Sequence, residues 1–267
     1  MSKAKRPPEN ARRAAGAVQK KEARPGFSDF LSGSNAKWLF FAIYLGLTVF
    51  MFREFLFSDA MLFGSDTIPD AVYTRGYYKD FHAKFGGIPR WNPFLLGGLP
   101  FIDAMHGDTF YPGAWLQFFM PLTRALGHKL IWHVLIAGIG MYVFLRTLRL
   151  RRDAAFLGGM MYLLSPSFVS LVFQGHDAKM YVTAFLPFAF ALLETGMNRP
   201  RLWKCALLGG VMGLLILTSH VQMAYYAYWA LGLYFLFRLF FGRKDGAAAT
   251  MKRAALFTGA VILAVAL

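Results

Sequence analysis

The sequence predicts an all-α fold: a polytopic transmembrane helical bundle of about six to seven spans with a long first extracytoplasmic loop. Three observations predict it. Apolar residues make up 57% of the chain and charged ones only 16%, with a mean hydropathy of +0.41, whereas a soluble domain carries about a quarter charged residues. Aromatics reach 17%, and Phe alone contributes 28 residues, as expected of spans bounded by interfacial belts. The basic residues are also distributed unevenly along the chain, in a way that orients it.

Residues 1–37 hold nine Lys or Arg and three acids with no apolar periodicity. Such a segment cannot bury enough surface to fold alone, and it is too long and too polar for a secretory signal. It predicts a disordered basic cytoplasmic tail ahead of a transmembrane region, 38–267. Apolar runs then cover 38–57, 126–145, 154–173, 180–193, 202–219 and 221–241. Spanning takes roughly 20 residues, so the run at 180–193 is short unless it begins inside the preceding loop. A seventh run starts at Ala254 and meets the chain end after 14 residues, the expectation for a piece of a longer protein truncated at its C-terminus.

Placing the tail in the cytoplasm puts 21 of the 29 basic residues on that side, with six acids. The other side then holds eight of each sign. Every cytoplasmic connection obeys the positive-inside rule. The net charge of +15 is therefore a topology signal and a contact with the lipid bilayer, and nucleic acid is not an expected partner. Cys205 is the single cysteine. It excludes an internal disulfide and a thiolate metal cage and reads as a small buried hydrophobe.

The candidate chemistry lies on the outward side. The loop 58–125 contains Asp66 and Asp70 around Pro69, then Tyr77, Tyr78, Trp91, His106 and Asp108 among repeated Pro and Gly that set turns. Asp66 and Asp70 also suit caps of a short helix beginning near Ile68. The stretch 113–122 is apolar for about half a span and predicts an interfacial or re-entrant piece. Two further outward turns carry His176, Asp177 and Lys179, and His220 and Gln222. Ionisable groups at the membrane surface are costly unless used or paired. Lys presents a point charge to phosphate, and carboxylates are the hard ligands that a divalent metal such as Mg²⁺ takes alongside phosphate. Each residue alone also suits a cap, a turn or an interfacial anchor; the convergence of two His-bearing turns and an Asp-rich loop on one face favours a site.

Asp66-Thr-Ile-Pro-Asp70, Trp91-Asn-Pro93, the glycines Gly97 and Gly98, Tyr111-Pro112, Gly175-His176 and Ser219-His220 together resemble the YfhO family of bacterial membrane proteins. The order and spacing of the motifs over residues 38–267, the N-terminal part of a longer pattern, carry the resemblance. It implies kinship with GT-C glycosyltransferases, which take a sugar from a polyprenyl-phosphate donor on the outer face. It also implies that Asp66, with Asp70 second, matches the catalytic carboxylate of the first outer loop. The adjacent acidic pairs of some GT-C branches are absent here.

The implied activity is transfer of a polyprenyl-phosphate-linked sugar to a cell-envelope acceptor, a glycopolymer or glycolipid, at the bacterial inner membrane. A carboxylate accepts the acceptor's proton and positive charge sits near the leaving phosphate. His176, Asp177, Lys179, His220, Gln222, His106 and Asp108 are the expected donor contacts, and Tyr77 and Trp91 the expected sugar platforms. A non-catalytic transporter or flippase component, or an envelope-assembly scaffold, is the alternative. Transporters place ionisable residues near mid-membrane, and the apolar runs here carry few.

Overall fold

A computed structural model of the chain describes residues 36–102, 108–242 and 246–267, and the side chains of 68–70 fall outside that description. The predicted tail lies almost wholly outside the described residues. What is described is predominantly α-helical, with one two-residue antiparallel pair, β1 (Trp91–Asn92) and β2 (Leu99–Pro100), in register Trp91 to Pro100.

The first apolar run forms α1 (Ala36–Met51) and a short α2 (Arg53–Leu56). The connection that follows is ordered. A π-helical turn, Thr67–Val72, runs into α3 (Tyr73–Phe85); after the β pair, a 3₁₀ turn, Pro112–Trp115, leads into α4 (Leu116–Phe119). These last two cover most of the stretch 113–122, with Trp115 and Phe119 exposed.

The second run, 126–145, lies within α5 (Leu122–Thr147), which begins one turn earlier, directly after Pro121. The third is broken at Ser165-Pro166 into α6 (Arg152–Leu163) and α7 (Pro166–Gln174), with the Ser165 hydroxyl capping α7 through Ser167 N. The rest of the chain forms α8 (Asp177–Asn198), α9 (Leu202–Leu217), α10 (Val221–Phe241) and α11 (Ala247–Ala266). Among the described residues, four helical stretches are both long and apolar enough to cross a membrane: Leu122–Thr147, Arg152–Gln174, Asp177–Asn198 and Ala247–Ala266.

α8 is the central helix and packs against α5, α9 and α10. One buried cluster joins Tyr44, Val134, Leu163, Phe168 and Tyr181; a second joins Leu193, Met212, Leu231, Phe235 and Ala260. The α5–α6 crossing is tight: a side chain at Gly159 would meet the Gly138 carbonyl at 2.7 Å, the small-residue approach used by helices in lipid. Large apolar side chains such as Phe50, Phe237, Phe240 and Val265 remain exposed, an outward surface suited to hydrocarbon rather than water.

Candidate functional site

Asp66 and His176 are brought together by backbone contact. The Asp66 amide donates to the Gln174 carbonyl at 3.0 Å, and Gly64 lies directly on the turn that ends α7. A side chain at Gly64 would sit 2.5 Å from the Gly175 amide nitrogen. Gly175 itself closes α7 in the left-handed conformation, φ 78°, which glycine adopts without steric cost. Two glycines thus let the acidic loop seat on the turn before α8.

On that seat the His176 Nε2 lies 2.5 Å from Asp66 Oδ2, and Lys179 Nζ lies 2.9 Å from His176 Nδ1. An ammonium has only donors, so Lys179 donates to Nδ1, and the proton on Nε2 is donated to Asp66. The result is a Lys179→His176→Asp66 string whose tautomer follows from its ends. The Asp66 carboxylate is 51% exposed and His176 22%, so the string opens to one side. His220 belongs to the same neighbourhood. Burial lowers its pKa, and Lys179 and His176 lower it further. Its Nδ1 accepts from the Met223 amide at 3.2 Å, capping α10.

Behind this string lies a buried ion network. Asp108, 1% exposed, accepts from Arg75 Nε at 2.8 Å and from Lys129 Nζ at 2.7 Å. Arg75 Nη2 donates to Asp177 Oδ2 at 2.5 Å, with Lys129 Nζ 3.6 Å from the same oxygen. Two cations and two anions balance, which is the condition for burying charge. Burial alone would raise the Asp108 pKa; the Arg75 and Lys129 charges outweigh it and hold the carboxyl below the usual range. The Lys129 carbonyl lies 2.5 Å from His133 Nδ1. A carbonyl only accepts, so His133 Nε2 is left to accept from the Tyr111 hydroxyl, 2.5 Å away. Burial, then Asp108, pushes the Tyr111 pKa up. Its ring stacks on Tyr181 with centroids 4.5 Å apart.

The expected site residues therefore divide. Asp66, His176, Lys179 and His220 come together. Asp108 and Asp177, expected to meet a ligand, have their carboxylates occupied by Arg75 and Lys129; in this arrangement they tie α3 and the Asp108 segment to α5 and α8. Gln222 donates to the Tyr226 hydroxyl at 3.0 Å one turn along α10. His106 and the side chain of Asp70 lie outside the described residues. Tyr77 donates to the Trp91 carbonyl at 2.8 Å and, with Tyr73, Asp80, Asn92, Phe94 and Leu95, lines a cleft of about 450 Å³. Trp91 stands half exposed beside it, its ring over Gly98. Cys205 is half buried and donates its thiol to the Leu256 carbonyl at 3.0 Å.

Sequence reasoning missed Arg75, Lys129, His133 and Tyr111 as members of one network. A lysine and a histidine four residues apart inside an apolar run were the available signal. Among the described residues no three His, Cys, Asp or Glu side chains converge to hold a metal ion. Asp108 and Asp177 are already paired to Arg75 and Lys129, so these two carboxylates are not free to hold a Mg²⁺.

Comparison of the chain with protein-family models, with curated proteins and with solved structures finds no match.

Proposed function

We propose that this chain is a membrane-embedded glycosyltransferase-like protein that moves a sugar from a polyprenyl-phosphate donor to a cell-envelope glycopolymer or glycolipid on the outer face of the bacterial cytoplasmic membrane. The observation that carries the reading is the Lys179→His176→Asp66 string: a half-exposed carboxylate, an oriented imidazole and a cation in one hydrogen-bonded line.

Asp66 accepts the proton of the acceptor hydroxyl as its oxygen attacks the anomeric carbon. The bond from that carbon to the phosphate oxygen breaks, and the phosphate leaves carrying the electron pair. Lys179, in the first turn of α8, supplies positive charge for that leaving group. Two clefts support the substrate class. The 450 Å³ cleft combines aromatic faces with Asp80 and Asn92, the mixture of stacking and hydroxyl-bonding groups that suits the acceptor sugar. An apolar cleft of about 310 Å³, lined by Phe52, Phe63, Phe168 and Phe173, opens one residue before Gly64 and suits the donor's isoprenoid chain.

In this reading the chain crosses the bilayer six or seven times, with its N-terminus inside and the 58–125 loop outside. Support comes from the 21 basic residues assigned to one side and from the two ends of α8. Asp177 at one end adjoins the site, while Glu194 and Asn198 at the other meet Arg238. Twenty-two residues of α8 span about 33 Å at 1.5 Å each, close to the roughly 30 Å of a hydrocarbon core.

A transporter or flippase reading is favoured by one observation, the burial of Lys129 and His133 within an apolar helix, since such groups form proton relays in pumps. The test is reconstitution of the chain in proteoliposomes with a series of polyprenyl-phosphate-linked sugars and an envelope acceptor. Donor-dependent sugar transfer supports the enzyme; movement of the lipid between leaflets without transfer supports the alternative.

A further inference from the structure

α3 has two faces. It turns Arg75 and Tyr78 into the protein, and it sets Tyr73, Tyr77 and Asp80 at i, i+4 and i+7, one stripe of a helix. That stripe forms one wall of the cleft of about 450 Å³, a volume within the roughly 300–1,000 Å³ of small-molecule sites. Asn92, Phe94 and Leu95 of the β1–β2 hairpin form the other wall. The two walls are fixed to each other. Tyr77 Oη donates to the Trp91 carbonyl at 2.8 Å, and the Tyr77 ring meets Phe94 edge-on with centroids 5.5 Å apart. Asn92 Oδ1 accepts from the Phe94 amide at 3.0 Å, which leaves the Asn92 side-chain amide hydrogens for a ligand oxygen. Tyr73 and Phe94 are 66% and 77% exposed, so their ring faces are open to an occupant.

Charge in this cleft is one-sided. Asp80 is the one carboxylate among the described lining residues, and they include no Lys, Arg or His. The lysines of α3 are turned elsewhere: Lys79 Nζ donates to the Met120 carbonyl at 3.0 Å, and Lys84 Nζ lies 5.1 Å from the Phe85 ring centre. Among the described residues Asp80 has no ion-pair partner.

We propose that this cleft binds a sugar carrying a protonated amine. The sugar's C–H face stacks on Tyr73 and Phe94, a hydroxyl oxygen accepts from Asn92 Nδ2, and the ammonium group meets the Asp80 carboxylate beside aromatic faces that also attract a cation. An N-acetylated sugar would stack equally well but leave Asp80 unpaired. A lipid headgroup layer fits less well, because its anionic surface draws Lys and Arg rather than a carboxylate. α3 follows the π-helical turn Thr67–Val72, which begins beside Asp66, so the cleft starts one turn of chain from the proposed base. Calling the occupant an acceptor rests on the glycosyl-transfer reading; its binding does not.

The test uses the whole chain in nanodiscs of phosphatidylglycerol, a lipid without an amine, with no donor lipid present. Saturation-transfer NMR follows the glucosamine trisaccharide and its fully N-acetylated counterpart, after subtraction of empty nanodiscs. The amino form is expected to bind about fivefold tighter. Asp80→Asn, a change at an exposed side chain, should remove that preference and leave binding of the N-acetylated form as it was. Tyr73→Ala should weaken both sugars about threefold, and Lys84→Gln neither. Phosphoethanolamine, an amine without a sugar, should fail to displace the trisaccharide at equal concentration. Equal affinity for the two trisaccharides in wild type, a preference that survives Asp80→Asn, or displacement by phosphoethanolamine would each overturn the proposal. Absence of glycosyl transfer in proteoliposomes, with the Asp80-dependent preference intact, would count against the enzyme reading and still support the amino-sugar site.

Discussion

His176 and Asp66, 110 positions apart in the chain, meet at 2.5 Å through Nε2 and Oδ2. The contact depends on the close seating of Gly64 against Gly175. Replacing Gly64 with Ala places a methyl group 2.5 Å from backbone that cannot swing aside. The expected result is lifting of the 58–66 segment from the turn, at a cost of about 1–3 kcal/mol. Differential scanning fluorimetry should show a lowered Tm, and limited proteolysis a newly cleavable site near residue 60.

The buried network should behave as a unit. Asp108→Ala leaves Lys129, 2% exposed, without its closest carboxylate, and Lys129→Met leaves Asp108 with one cation. Each single change should cost about 3–5 kcal/mol. The double variant Asp108→Leu with Lys129→Met should cost well under the sum of the two singles, because no charge is stranded. Additive losses in a denaturation cycle would mean that the pair is not coupled.

Stability should fall in acid through Asp108. Its folded pKa lies below the unfolded value of about 3.9, so the stabilisation is fully present above that pH. It is lost progressively as pH falls below about 4 toward the folded pKa, because the unfolded chain then binds the proton first. A Tm measured from pH 6 to pH 2 should drop in wild type more steeply than in Asp108→Asn, which starts lower. Parallel curves would remove Asp108 as the source.

Orientation is open to labelling. In a Cys205→Ser background, a cysteine at Gly87, exposed in the turn after α3, should react with an impermeant maleimide in intact cells. One at Arg151, whose side chain is 82% exposed, should react only after the membrane is opened. The reverse pattern would invert the topology.

The helices were legible because apolar length is a local property. α10 runs Val221–Phe241 in the structure, the same bounds as the apolar run. α8 extends beyond its run, 180–193, because Asp177 and Lys179 count as polar in sequence while Arg75 and His176 partner them in space. The third run, 154–173, reads in sequence as one uninterrupted span; Pro166, which divides it into α6 and α7, is a helix-start signal that such a reading passes over. The Asp66–His176 neighbourhood was legible as a convergence of turns. The Arg75–Asp108–Lys129–Asp177 network was not: its members lie 21, 33 and 102 positions apart, and no local pattern marks Lys129 as the partner of a loop aspartate.

The most direct measurement is turnover of Asp66→Asn against wild type, in proteoliposomes with a donor lipid that supports transfer. Asn keeps an oxygen that accepts from His176 Nε2 but takes up no proton at neutral pH. Turnover should fall by about 10²–10⁴-fold while Tm and membrane level stay at wild-type values. Near-normal turnover with unchanged stability would make Asp66 a structural partner of His176 and place the base elsewhere.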